Sequence, residues 1–349
     1  MKMKYLALLG LLFQLNATAQ QLGDFKPKDQ SYGVKKARDA KRIYIANFRV
    51  NYQLYNEKED FKQGGSMFGG GYKGDAKAQL SVGLEGISAK ALQEVADKLY
   101  RDYLEKIRAK GLTVITADEA GNAGAYSDYT RLKGGEVSLA QYPGTLTVAP
   151  TGYEYYVKRV TKSGKTKNGG FFNNPGMLYA KLSRDLDDAI IAEINLFVLF
   201  VQDKQAMNWS GANIKIKTNL RLADEEAIVM TSDARIKLKG QNDVDRISSL
   251  VGFYHGKVGL GLTTSYAGML SRPLEIDGVI EDQKLQSFAR NDRDAIGTRF
   301  AYGVYFNPDN TTSSTTKVIP VQEQQYCDGV YMAAKKFVDY HTANFLDGL

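Results

Sequence analysis

The sequence predicts an α/β to α+β protein: a mixed β-sheet, one long amphipathic helix, a C-terminal helix, and long Gly- and Tyr-rich loops. Three stretches predict this. Ile190 to Val201 is an apolar run that only Glu193 and Asn195 interrupt. Asn213 to Leu222, NIKIKTNLRL, alternates apolar and polar residues. Between Ser88 and Gly111, Leu92, Val95, Leu99, Tyr103 and Ile107 recur at spacings of three and four. Period two marks strands and period 3.6 marks helices.

The chain opens with MKMKYLALLGLLFQLNATAQ. Lys2 and Lys4 precede a short apolar run from Tyr5 to Leu15, and Ala17-Thr18-Ala19 follows as a small-residue cleavage site. This reads as a secretory signal peptide over residues 1–19. The run is shorter than the roughly 20 residues of a spanning helix. No Cys follows it to carry a lipid anchor. Residues 20–40 are then an N-terminal extension, and residues 41–349 one α/β globular domain with irregular insertions at 51–87 and 117–177.

Lys41 to Val50, KRIYIANFRV, is the first strand of that domain. Its period places Ile43, Ile45 and Asn47 on one face and Tyr44, Ala46 and Phe48 on the other. Residues 51 to 87, with the stretch QGGSMFGGGYKGD, read as a long mobile connection, because glycine adds chain entropy and little packing. Ser88 caps the amphipathic helix, Gly111 ends it at the C′ position, and Leu112 to Ile115 begins a strand, giving a βαβ-like start. Between residues 117 and 180 only Thr145–Val148 and Tyr153–Val160 read as strands, and SGKTKNGGFFNNPG (163–176) reads as a loop.

As a helix, Ile190 to Val201 would cover about 18 Å, well short of a bilayer core near 30 Å. Its Ile, Val and Phe content favours a buried strand. Asn213 to Leu222, the polar turn Ala223–Glu226 and Ile228 to Lys239 read as an antiparallel hairpin. Its outward face carries Lys215, Lys217, Arg221, Arg235 and Lys237, a basic row that would bind an anionic partner and that lipid would not tolerate. Residues 252 to 306 read as strands, with a helical turn at Leu285–Arg290. Gly329 to Phe345 reads as a helix docking on the sheet.

Composition narrows the functional classes. Apolar content of 43% with 24% charged residues is that of a folded globular chain. The net charge of +7, or +5 without Lys2 and Lys4, is spread along the chain. It permits contact with an anionic polysaccharide or lipid surface but does not indicate nucleic acid. Cys327 is the single cysteine, so no intrachain disulfide forms. The only histidines, His255 and His341, stand outside any metal-ligand spacing, so neither a metal site nor a catalytic centre is predicted. Phe68 stands where a GxSxG elbow needs glycine. Gly69, Gly71 and Gly74 fit GxGxxG without the strand-to-helix turn that a dinucleotide needs, and no cofactor is expected. The acids Asp185, Asp187, Asp188, Asp243 and Asp245 lack the offsets of a calcium loop and read as turn residues. Glu193, a carboxylate inside an apolar strand, must find a partner or shift its pKa. A salt bridge to a neighbouring strand is the simplest solution, and an interface or cavity the other.

The order KRIYIANFRV, LQEVADKLYRDYLEKIRAKG, LTVI, DDAIIAEINLFV and NIKIKTNLRL resembles the soluble α/β domain of curli-secretion pore (CsgG-like) envelope proteins. The resemblance covers roughly a third of the chain. It implies an α/β domain, an envelope location and ring-like self-assembly without catalysis. The chain departs from that pattern in lacking the lipid-anchor Cys and in its Tyr- and Gly-rich segments at 51–87 and 117–177. The resulting expectation is an exported, non-enzymatic envelope protein that assembles with itself or with other envelope proteins. The alternatives are an exported binding protein for a carbohydrate or anionic ligand, and a secreted hydrolase whose site the sequence does not display.

Overall fold

A computed structural model describes residues 21–62, 65–66, 72–73, 76–167, 175–202, 213–230, 244–259, 261–288, 296–300, 303–306 and 311–349. The expected signal peptide and most of the stretch QGGSMFGGGYKGD lie outside them. The fold is α+β. An eleven-stranded mixed sheet runs, from one edge to the other, Pro27–Tyr32, Gly261–Leu270, Leu250–Val258, Ile190–Gln202, Arg42–Gln53, Thr145–Val148 and Val137–Tyr142. The remaining strands pair beside this path. The segment expected as an N-terminal extension thus supplies an edge strand, pairing antiparallel with Gly261–Leu270.

Ile190–Gln202 is the central strand. It runs parallel to Arg42–Gln53 on one side and antiparallel to Leu250–Val258 on the other. The even-numbered residues Ile190 to Phe200 are buried beneath two helices. These are α1 (Ala89–Ala109) and α4 (Glu323–Asp347), which share one face of the sheet. α1 begins where Ser88 Oγ accepts from the Ala91 amide at 3.1 Å, and Gly111 follows it with φ +79°. Its stripe Leu92, Val95, Leu99, Tyr103 and Ile107 is buried as the spacing predicts. Each such side chain contributes about 1.5–3 kcal/mol on burial. α4 brings Tyr326, Val330, Ala333, Phe337 and Phe345 to the same core. Among the described residues no helix is long and apolar enough to cross a membrane.

The opposite face is covered at one end by α2 (Ala117–Gly121) and α3 (Pro175–Asp185). Tyr44, Tyr126, Tyr179, Leu182 and Ile191 form its core. At the other end Phe197 and Leu199 pack with Ala223 and Ile247. α3 corrects the end of the irregular insertion expected at 117–177: helix begins at Pro175, a residue suited to a first turn.

Four further expectations are corrected. Residues 51–87 are not simply a loop. Tyr55–Lys62 pairs antiparallel with Ala76–Glu85, which pairs parallel with Thr311–Pro320 and buries Ala78, Leu80 and Val82. The predicted hairpin does not form either. Among the described residues Asn213–Leu222 pairs with Val198–Gln202 on one edge and with Gln283–Phe288 and Leu274–Glu275 on the other, and not with the chain that follows it; residues 231–239 of the expected hairpin lie outside the described residues. Ala227–Met230 pairs with Val244–Ile247 instead. The predicted helical turn at Leu285–Arg290 is part of the strand Gln283–Phe288 as far as residue 288.

Last, the register between Arg42–Gln53 and the central strand shifts between Ala192 and Glu193, with Ala46 as the extra residue. A bulge moves every later side chain to the opposite face. Phe48 therefore joins Ile43 and Ile45 under α1, and Asn47 moves to the face of Tyr44 and Ala46.

Candidate functional site

The basic row predicted on the second face of Asn213–Leu222 is not a continuous surface. Lys215 is exposed, whereas Lys217 is ion-paired with Asp282 at 2.5 Å. Arg221 is buried, which corrects its placement on the outer face. It donates to Asn219 O (3.2 Å), Asn219 Oδ1 (2.9 Å) and Val201 O (2.5 Å). Burial lowers its pKa to about 10, with Asp224 and Glu275 opposing that shift. Arg221 fastens the end of the central strand and does not face a partner. Arg235 and Lys237 lie outside the described residues.

Both histidines are buried. His341 points from α4 into the core, with Nδ1 2.8 Å from Tyr266 Oη and Nε2 3.1 Å from Met269 O. Burial pulls its pKa down to about 4. His255 is buried on the strand Leu250–Val258, and desolvation lowers its pKa against the opposing pull of Asp188. Asp187 and Asp188, with φ of 58° and 53°, make the tight turn between α3 and the central strand. Asp187 pairs with Arg42, and Asp185 accepts from the Ala125 amide at 3.0 Å. Asp243 and the side chain of Asp245 lie outside the described residues.

What the structure assembles is a polar strip across the middle of the sheet, between the tyrosine-rich cluster at α3 and the Phe197 cluster. Past the bulge, Asn47, Arg49, Asn51 and Gln53 follow one another on this face. Glu193 and Asn195 lie opposite Asn47 and Arg49 on the central strand. The inner part of the strip is closed by hydrogen bonds. Asn51 Nδ2 donates to Asn195 Oδ1 and to Leu196 O, both at 2.9 Å, and its Oδ1 accepts from Thr147 Oγ1 at 2.8 Å. Gln53 Oε1 accepts from the amides of Phe200 and Val201.

The other half of the strip reaches solvent, since Arg49, Glu193 and Asn195 are only partly buried. Arg49 lies over the Tyr155 ring at 4.6 Å and donates to Thr166 Oγ1 at 3.3 Å. Asn47 donates from Nδ2 to Glu193 Oε1 at 3.4 Å. The expected salt bridge to Glu193 is absent among the described residues. Burial raises the Glu193 pKa, while Tyr179, Asn47 and the charge of Arg49 act against the rise. The rings of Tyr179 and Tyr254, 4.8 Å apart, form the wall on the α3 side. The sequence flagged Glu193 as a carboxylate in an apolar run. It gave no sign that Asn47 would join it, because period two alone places Asn47 on the other face.

The two ends of the sheet differ as surfaces. Pro27–Tyr32 is blunted by Pro27, Asp29 and Lys28, the last paired with Glu225. Val137–Tyr142 carries Val137 (38% exposed) and Leu139 (69% exposed), which project on one face. Among the described residues it pairs only with Thr145–Val148.

No family model, curated protein or solved structure matches the chain.

Proposed function

We propose that the chain is an exported cell-envelope protein that acts by assembling with copies of itself, through the sheet edge Val137–Tyr142. The observation that carries this reading is the contrast between the sheet's two ends. One is guarded by proline and charge. The other pairs with one neighbouring strand among the described residues and carries Leu139, the most exposed of the large hydrophobic side chains described. Addition of a strand from a second copy would extend the sheet and cover Val137 and Leu139 together. The reading is also supported by the Lys2/Lys4, Tyr5–Leu15 and Ala17–Ala19 pattern, which favours export. The succession of strand, helix, strand and buried Asp-Ala-Ile strand supports it too, as does the C-terminal helix on the same sheet face as α1.

Amide hydrogen exchange over residues 137–142, followed as protein concentration rises, tests it. Assembly through this edge gives slower exchange at the higher concentration. Exchange that does not change with concentration while the protein is associated rules this edge out.

A further inference from the structure

We propose that the solvent-reaching half of the polar strip is a binding site for a neutral, hydroxyl-rich ligand, a saccharide, held by Asn47, Arg49, Glu193 and Asn195. The inference is independent of the assembly reading.

The starting point is an acceptor without a donor. Asn47 is 7% exposed, and its Oδ1 has no hydrogen-bond partner among the described residues. An unmet buried acceptor costs about 1–3 kcal/mol. The amide cannot simply be turned over, because its Nδ2 serves the carboxylate of Glu193. Glu193 beside it is served from inside the chain, by hydrogen bonds from Tyr179 and Asn47, and faces the charge of Arg49. Among the described residues the Asn47 acceptor is the one of this pair left for a donor from outside.

The same strip also presents donors. Asn51 Nδ2 serves Leu196 O, a group that only accepts, so Asn51 is fixed in orientation. Asn195 Oδ1 is consumed by that same Nδ2, which leaves the Asn195 Nδ2 to donate. Arg49 is steadied by Tyr155 and spends a single bond on Thr166. A guanidinium has five N–H donors, so several remain.

Gly252 stands opposite Glu193 on the next strand, and a Cβ there would lie 2.6 Å from Tyr254 Oη. Glycine at this position lets the Tyr254 hydroxyl lie across the sheet beside Glu193, whose charge contributes to raising the tyrosine pKa after burial itself.

This interleaving selects a ligand class. An anion would be favoured by Arg49 and repelled by Glu193. A cation would be favoured by Glu193 and repelled by Arg49. A hydroxyl both donates and accepts, so neighbouring hydroxyls on a sugar ring match an acceptor–donor row without a charge penalty.

The test is titration of the full mature chain with glucose, galactose, mannose and N-acetylglucosamine, and separately with putrescine and acetate as charged controls. Ligand-observed NMR and calorimetry give the readout. At least one saccharide is expected to saturate with a Kd of about 1 mM or tighter. Asn47→Leu and Glu193→Gln are each expected to weaken it by about tenfold or more. Glu193→Gln is nearly isosteric and removes a buried charge, so its thermal melt separates lost binding from lost fold. The proposal is overturned if no saccharide saturates, if a folded Glu193→Gln binds as well as the wild type, or if only putrescine or acetate binds.

Discussion

Asn47 Nδ2 and Glu193 Oε1 are 3.4 Å apart, on adjacent parallel strands of the central sheet, and the contact exists because Ala46 bulges. Were Ala46 paired in the regular ladder, Ala46 would stand opposite the carboxylate and Asn47 would point beneath α1.

Glu193 sets one pH dependence. Its pKa is raised in the folded state, so the folded chain holds its proton more tightly than the unfolded chain. Stability from this group is therefore present below the ordinary value of 4.5 and is lost as pH rises through the folded value. Glu193→Gln is expected to raise Tm at pH 7 by about 2 °C or more, and the gain should vanish near pH 4. Thermal melts of both proteins across pH measure this. A lower Tm for Glu193→Gln at pH 7 contradicts it.

His341 acts in the opposite sense. Burial lowers its pKa from 6.5 to about 4, so the unfolded chain binds the proton first as the solution is acidified. Stability is lost as pH falls from 6.5 towards 4. His341→Gln is expected to flatten the acid slope of Tm in that window while lowering Tm at pH 7. Equal slopes for the two proteins would remove His341 as the cause.

Gly268 tests the packing around that histidine. A Cβ there would stand 2.3 Å from His341 Cγ, so the ring and α4 must shift to admit it. Gly268→Ala is expected to cost about 1–3 kcal/mol in urea denaturation. A change within about 0.5 kcal/mol would show that the helix yields freely.

Arg221 and Lys215 were expected on one basic face, and the structure separates them. Arg221→Ala leaves the buried Val201 carbonyl without its donor and is expected to destabilise by about 2–4 kcal/mol. Lys215→Ala is expected to change stability by less than about 0.5 kcal/mol. Equilibrium unfolding of both variants checks the contrast, and similar losses would contradict it.

Those residues show how far the sequence carries. The central strand, α1 with its Ser88 cap and Gly111 stop, the strand Thr145–Val148 and the C-terminal helix were legible. Each is set by a local period or a capping residue. The hairpin after Leu222 was not, because whether two alternating strands pair depends on which edges are already occupied. The Gln283–Phe288 strand, which takes that edge, lies some sixty residues later. The polar strip was half legible. Glu193 stands out within an apolar run, whereas Asn47 reaches it only through a register shift that no local pattern announces.

The central claim is association through the Val137–Tyr142 edge. Light scattering coupled to size exclusion, on residues 20–349 and on the same chain with Leu139→Lys at matched concentrations, checks it. Association through this edge gives a mass that is a multiple of one chain for the wild type and a single-chain mass for Leu139→Lys, with unchanged thermal stability in dilute solution. A single-chain mass for the wild type at every concentration, or an assembly that Leu139→Lys leaves intact, would contradict it.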